Sequence, residues 1–481
     1  MSTVLIFVFD GLQPSQVNTR LAPNLSAFAD GGVNFANHHS IFPTVTRVNC
    51  SSIVTGMSAG GHGMHGNRFA IVDFDSNQAI MALKPEFEQV VEAGMPVLLA
   101  PTLGEILGRH GKEYVSVVVG TTGNAYLHNP TAEVSGGATI HREFTLPSEL
   151  HESIVNRFGP WPEEVLPNTA MLAQARRVLT EYVLPERMPA VALIWGAEPD
   201  STQHATGVGS SQSDIALKEA DEQFGSLMQW LQETGRADDT DIFVVSDHGA
   251  STVSASAGIE AWVKEAGFPA AGEPGGVIVA QNGGAALFYT PPGDMDTANR
   301  LAAWLMAQPW CGTVTASDAV AGIPGTLPAS LAGTEGSRAP DLTVSFRWET
   351  NANETGYPGM IPSTYGGPGK GQHGSMSQME IRNILFASGP SFKSNITLET
   401  PSGNQDLAPT ILKILGIEGD NGMDGRVLAE ALVDGPSAAD VNWSTKTHQA
   451  ELDLGGEVYR QQIKISTVGT TSYLDEGNRV D

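Results

Sequence analysis

Three largely apolar runs in this sequence each lead into an aspartate. Val4–Phe9 (VLIFVF) runs into Asp10-Gly11, Ala190–Trp195 leads to Asp200, and Asp241–Ser246 ends at Asp247-His248. A β-rich segment without polar alternation must be covered on both faces, as a strand inside a parallel sheet is. Helical segments alternate with these runs. Pro23 opens a helix that Gly31-Gly32 closes, and a second runs from near Thr46 to Gly56. Further helices are predicted at Thr102–His110, Asn168–Leu184, Asp214–Thr234, Thr297–Met306 and Gln405–Leu415, the last with Pro409 in its first turn. Tyr114–Val119, Leu342–Phe346 and Ile384–Ala387 read as strands, and Val277–Ala280 with Ala285–Tyr289 as a hairpin joined by Gln281–Gly284. The Gly/Pro/Ser-rich stretch Ala321–Pro340 reads as loop. Strands alternating with helices predict an α/β fold with a mostly parallel sheet, and such sheets bind ligands at the carboxyl ends of their strands. Three strand ends that each deliver an aspartate are where metal ions would be sought.

Charge narrows the partners. Acidic residues outnumber basic ones 53 to 26, a net charge of −27. Such a surface repels nucleic acid and anionic membrane, so a nucleic-acid polymer is excluded as the expected substrate. A phosphate substrate then needs local positive charge, which bound metal ions can supply. The two cysteines, Cys50 and Cys311, are too few and too far apart for a disulfide framework and read as free thiols. Val4–Phe9 is too short to span a membrane and lacks a preceding basic segment, and no other apolar stretch is long enough, so no membrane association and a cytoplasmic location are expected.

Histidines accompany the aspartates. Asp200 and His204 are four apart, which on a helix puts both on one face, and His248 follows Asp247 directly. His373 lies between glycines in GKGQHGS (369–375), where the backbone can place an imidazole closely. With Asp10, these six residues can fill two sites of the kind that bind zinc through histidine nitrogen and carboxylate oxygen. Manganese or iron would accept the same ligand types. A nucleophile is available in FPTVTRVN (42–49), ahead of the helix that ends at Gly56. A hydroxyl at a helix N-terminus faces free amides that favour phosphate, and a metal would lower its pKa. On this chemistry Thr44 and Thr46 are equal candidates, one of them being an ordinary helix cap.

Taken together, these segments resemble the alkaline phosphatase superfamily, and most closely its type I phosphodiesterase/nucleotide pyrophosphatase branch. The matching pieces are VFDG (8–11), FPTVTRVN (42–49), TGMSAGGHGMHGN (55–67), PDSTQH (199–204), SDHG (246–249), GQHGS (371–375) and FASGPSF (386–392), followed by APTILKILGI (408–417) and MDGRVL (423–428). The resemblance spans roughly residues 4–430. It implies an alkaline-phosphatase-like three-layer sandwich with inserted cap segments. It selects Thr46 over Thr44 as nucleophile, and Asn67 as the amide that holds a phosphoryl oxygen. It implies one metal on Asp10, Thr46, Asp247 and His248, and a second on Asp200, His204 and His373. The implied reaction is a double displacement: Thr46 attacks phosphorus and expels an alcohol, and water then hydrolyses the phospho-threonine. The expected substrate is a small organic phosphodiester; a phosphonate or a phosphomonoester is the alternative.

The sequence departs from the branch around the nucleophile, where Val45, Arg47 and Val48 replace a lysine and a Phe-Pro pair. The cytoplasmic phosphonoacetate hydrolases are also similar, but the lysines that grip their substrate's carboxylate have no counterpart in VVVGTTGN (117–124). Arg47, His65, Arg68 and Asn124 are candidate substrate contacts, with Tyr126 and His128 as further pocket candidates. The histidines at 38, 39, 110, 141, 151 and 448 read as ordinary. Residues 1–435 are expected to form the catalytic core, with cap insertions around 68–167 and 250–341, and 436–481 a C-terminal extension. Within that extension Gly455–Val468 is β-rich and can add a strand, cover an edge or join a partner in a homodimer.

Overall fold

The apolar run at the N-terminus becomes the middle strand of the main sheet. A computed structural model of the chain describes residues 3–418 and 422–480. The main sheet comprises β1 (Thr3–Phe9), β2 (Val33–Phe35), β3 (Tyr114–Val118), β4 (Ala138–Ile140), β5 (Thr145–Leu146), β6 (Val191–Gly196), β7 (Thr240–Val245), β8 (Leu385–Ser388) and β9 (Ile396–Leu398). Their spatial order is β9-β2-β8-β7-β1-β6-β3-β4-β5. The run β7-β1-β6-β3-β4 is parallel throughout, as is β2-β9. The strand expected at Ile384–Ala387 enters as β8, antiparallel to both β7 and β2, so the sheet is mixed on that side.

Both faces are covered, as an unalternating apolar strand requires. Val4, Ile6 and Val8 of β1 point into one core, and Leu5, Phe7 and Phe9 into the other. The first core is closed by α2 (Thr46–Thr55), α3 (Thr122–His128) and α7 (Leu407–Ile414), and the second by α1 (Pro23–Gly31), α4 (Thr169–Val178) and α6 (Ser211–Glu233). The result is the α/β arrangement that the alternation of strands and helices predicts, in the three layers that the family resemblance implies. Short α5 (Asp200–Thr206) follows β6.

Several predicted elements change on folding. The long helix expected over Asn168–Leu184 is α4 followed by a π-helical segment, Leu179–Arg187, that contains Pro185. Proline supplies no N–H to continue an α-helical ladder. The helix expected to start at Gln405 begins instead as a 3-10 turn, Asn404–Asp406, that runs into α7. The predicted hairpin extends to Asn282, leaving Gly283-Gly284 as its turn, with Gly283 at φ +66. Within the stretch expected to be loop, Leu327–Pro328 pairs parallel with the strand Cys311–Ala316, and a 3-10 turn follows. Hairpin, Cys311–Ala316 and Leu342–Phe346 form a second sheet with its own core. The C-terminal region forms three antiparallel strands, Trp443–Asp453, Val458–Val468 and Thr471–Arg479, rather than one. Their Ile463, Ile465 and Leu474 pack with Phe42, Met376 and Ile381. Among the described residues no helix is long and apolar enough to cross a membrane. Cys50 and Cys311 are buried free thiols.

Candidate active site

Three neighbouring parallel strands deliver the aspartates. Asp10 follows β1, Asp247 lies two residues beyond β7, and Asp200 opens α5 after β6. Because β1 lies between β6 and β7, all three carboxylates meet above its carboxyl end. The crossing is close. Gly11 has φ +67, and a Cβ there would fall 2.8 Å from Asp200 Cβ. Its N–H donates to Asp247 Oδ1 (3.1 Å), and the Asp200 N–H donates to the Asp10 carbonyl (3.1 Å).

The six expected ligands form two trios, the buried Asp10–Asp247–His248 and Asp200–His204–His373, of which His204 is half-buried, each with ligand atoms within 4.8 Å of one another. Each aspartate of the first trio has one oxygen held and one left over. Trp195 Nε1 donates to Asp10 Oδ2 (2.9 Å), and the Gly11 and His248 amides hold Asp247 Oδ1. Asp10 Oδ1 and Asp247 Oδ2 are buried without a hydrogen-bond partner. All three imidazoles face a backbone carbonyl through Nδ1: His204 that of Gly371 (2.9 Å), His248 that of Gly249 (2.9 Å) and His373 that of Thr44 (2.8 Å). Nδ1 therefore carries the proton, and in the neutral ring Nε2 presents its lone pair to the centre, the arrangement typical of metal-binding histidines. His204 Nε2 and His373 Nε2 lie 3.3 Å apart, and the His248 and His373 rings stack at 3.7 Å. Lone pairs and free carboxylate oxygens converging in a buried place fit a pair of divalent cations.

Electrostatics agree. Burial, then the nearby Asp247 and Asp200, raises Asp10 well above the ordinary carboxylate range. Burial raises Asp247. Asp200 goes the other way: burial pushes it up, but the His204 charge and hydrogen bond outweigh that and hold it low. Burial lowers His204, but Asp200 beside it overcomes this and pushes it up to about 9. Without a cation between them, a proton on His204 serves the carboxylate. His373 is driven down by burial and by His248.

Thr46 and Thr44 are placed differently. Thr46 is the first residue of α2, and its hydroxyl reaches the cleft 3.4 Å from His248 Nε2. The Thr44 hydroxyl is fully buried, accepts from the Gly374 N–H, and lies 2.9 Å from the Ser375 carbonyl and 3.1 Å from Glu380 Oε2. Thr44 thus joins the nucleophile segment to the His373 loop. Asn67 Oδ1 accepts from the Arg47 N–H at the start of α2 (3.2 Å), which orients its amide nitrogen.

Of the four candidate substrate contacts, Arg47 and Asn124 line the same cleft as Asp10, Thr46 and Asp200. Arg68 does not; it lines a separate cavity, 3.8 Å from Glu260. His65 is fully buried with both ring nitrogens unpartnered and is absent from the cleft lining. Tyr126 packs on Phe87, and His128 sits between Tyr114 and Trp195, so neither lines the cleft. Sequence reasoning missed Trp195, Glu380, Asn404 and Arg142. Asn404 donates to the Asp247 carbonyl (2.7 Å) and to Asn49 Oδ1 (2.9 Å), linking a candidate ligand to α2. Trp195 was visible as the last aromatic of an apolar strand; the others carried no local signal.

Comparison with known proteins names the architecture. The profile of the type I phosphodiesterase / nucleotide pyrophosphatase family matches residues 4–375. The chain belongs to that family. Ectonucleotide pyrophosphatase/phosphodiesterase family member 1 of Rattus norvegicus is 25% identical over 248 residues, 51% of this chain and 24% of that protein. Bis(5'-adenosyl)-triphosphatase enpp4 of Xenopus laevis is 24% identical over 52% of this chain and 48% of its own length. The aligned region therefore spans 24% to 48% of these relatives' length. Human ectonucleotide pyrophosphatase / phosphodiesterase 5 superposes with a TM-score of 0.63 at 17% identity, over 90% of this chain and 100% of that one. An inactive form of the murine protein in complex with AMP gives 0.61 at 17%, over 87% and 96%. The fold of this phosphodiesterase-family chain is alkaline-phosphatase-like.

Proposed function

We propose that this family member is a two-metal hydrolase of phosphorus esters that cleaves small organic phosphodiesters through a phospho-threonine on Thr46. The observation that carries the reading is the pair of trios, with the Thr46 hydroxyl 3.4 Å from His248 Nε2. Asp10, Thr46, Asp247 and His248 would hold one ion, and Asp200, His204 and His373 the other, with zinc the expected metal and manganese or iron accepted by the same ligands. Such ions, when bound, favour the alkoxide form of a ligating hydroxyl and offset charge on the entering and leaving oxygens.

The chain's own residues do the positioning. Thr46 stands at the N-terminus of α2, whose dipole favours an anion there. Its oxygen attacks phosphorus and the alcohol departs. Asn67, oriented by the Arg47 amide, donates to the phosphoryl oxygen on which charge grows. Water then cleaves the phospho-threonine and regenerates the hydroxyl.

Steady-state kinetics on bis-p-nitrophenyl phosphate, p-nitrophenyl phosphate and phosphonoacetate test the reading. The diester is expected to be preferred. A monoester or phosphonate preference beyond about a hundredfold in kcat/KM, ~2.7 kcal/mol in transition-state binding, overturns it. Metal analysis of gently purified protein is expected to give about two equivalents per chain.

A further inference from the structure

The cleft that holds Asp10, Thr46 and Asp200 has a volume of about 130 Å³ in all and extends from them between α2, the start of α3 and the Arg142–Asn168 segment. It leaves polar atoms unpartnered. Arg47 Nε, both amide atoms of Asn124, and Asn168 Oδ1 are buried without a hydrogen bond, and Asn124 is 1% exposed. Buried polar atoms normally find a partner in the protein, in ordered water or in a ligand. Arg142 at the rim is different, because it already pairs with Glu164 (2.7 Å) and Glu143 (3.2 Å). Among the described residues Arg47 has no carboxylate at ion-pair distance. Arg176, Arg236, Arg338 and Arg479 also lack a carboxylate that close, but each has a hydrogen bond or a ring contact, whereas among the described residues the Arg47 guanidinium shows neither.

Charge balance supplies one. Once the three aspartates and an ionised Thr46 are matched by two divalent cations, Arg47 remains as an uncompensated, partly buried cation in the cleft that Asn124 also lines. A partly buried charge without a partner is costly, so Arg47 faces an anion in the working enzyme; the ester's own phosphate offsets that charge when it lies within reach, and a second anionic group does so further along the cleft. Size and chemistry limit that group further. Substrate pockets for drug-sized molecules run from ~300 Å³ upward, and bases are held by stacking on aromatic rings. None of the residues lining this cleft is aromatic.

We propose that Arg47 and Asn124 form an oxyanion subsite. It selects phosphorus esters whose retained arm is short and ends in a small anionic group, a carboxylate or a second phosphoryl, rather than a nucleoside. The inference rests on the proposed two-metal hydrolysis. Arg47 supplies charge and a planar fork of donors. Asn124 offers a donor and an acceptor that nothing else in the fold uses.

Two diesters with the same leaving group test it on the metal-loaded protein: p-nitrophenyl propyl phosphate and p-nitrophenyl 2-carboxyethyl phosphate. They differ chiefly in a terminal methyl or carboxylate. The carboxyethyl ester is expected to have the higher kcat/KM by at least about tenfold, as for a charge-assisted hydrogen bond. Arg47→Gln and Asn124→Ala should each bring that ratio close to one. Equal rates for the two esters in the wild type, or a ratio the variants leave untouched, overturn the subsite while diester hydrolysis stands. Faster turnover of thymidine 5'-p-nitrophenyl phosphate than of the carboxyethyl ester also overturns it. If no diester is hydrolysed, the proposed function fails, and calorimetric binding of 3-phosphonopropionate against propylphosphonate still decides the subsite. Tighter binding of the former, lost in Arg47→Gln, supports it; equal binding sinks it.

Discussion

Two threonines two residues apart have the same chemistry and different surroundings. The Thr44 hydroxyl is spent on Gly374, Ser375 and Glu380, whereas that of Thr46 faces the centre. Thr46→Ala is expected to lower kcat by at least about a thousandfold and to abolish any acid-stable phosphoprotein seen by mass spectrometry after quenching. Turnover within about tenfold of wild type would remove Thr46 as nucleophile. Trp195 tests the ring around the ligands. Its indole N–H holds Asp10 Oδ2 and leaves Oδ1 without a hydrogen-bond partner, open to the proposed metal. Trp195→Phe keeps the packing but frees Asp10 to rotate, and competition titration should find zinc held about 10–100-fold more weakly. Unchanged affinity would mean that the strand alone orients the carboxylate.

Among the elements, the turn out of β1 carries the tightest constraint. Gly11 combines a left-handed φ of +67 with contact against Asp200, so a side chain there meets both backbone strain and the neighbouring ligand. Gly11→Ala is expected to cost about 1–3 kcal/mol and to weaken metal binding, measured by denaturant unfolding with and without zinc. A variant that unfolds with wild type would show that the loop can shift freely. This constraint was partly legible in the sequence, since Asp-Gly after an apolar run marks a strand end. The partner against which Gly11 packs was not, because Asp200 is brought in from β6. The same holds for His373. Its glycine-rich loop was readable, but its Nδ1 anchor is the Thr44 carbonyl on a distant segment.

At the scale of the whole molecule, buried neutral histidines tie stability to pH. Burial pushes His38, His62, His65 and His128 each down to about 3 from an ordinary 6.5. Between those values the unfolded chain binds protons that the folded chain refuses, so stability present above 6.5 is lost progressively as the pH falls towards 3. Calorimetry from pH ~7.5 to ~5.5 should show a falling Tm, with a limiting slope on the order of 1 kcal/mol per histidine per pH unit once below 6.5. A Tm that stays level across that range would contradict the burial of these rings as neutral groups. His38 and His39, read from the sequence as ordinary, also belong to the network that docks the C-terminal strands: His39 pairs with Asp475 (3.0 Å), and His38 reaches Asn404 (3.0 Å), which holds the Asp247 carbonyl. The C-terminal sheet is thereby connected by hydrogen bonds to the neighbourhood of the candidate centre.

What the sequence by itself determined is the part governed by local rules. Apolar runs without alternation set the parallel strands, periodicity and glycine stops set most helices, and strand-end aspartates marked where chemistry would gather. With the family motifs added, the sequence also offers Thr46 and the six Asp and His residues that the fold gathers into two trios as candidates. Tertiary structure decided what depends on contact between distant segments. It assigned Thr44 to anchoring, left one oxygen of each of Asp10 and Asp247 without a hydrogen bond, moved Arg68 out of the cleft and, among the described residues, set no carboxylate at ion-pair distance from Arg47. Residue type and spacing report which groups can do chemistry; which lone pairs are already satisfied is a property of neighbours that only the fold brings together.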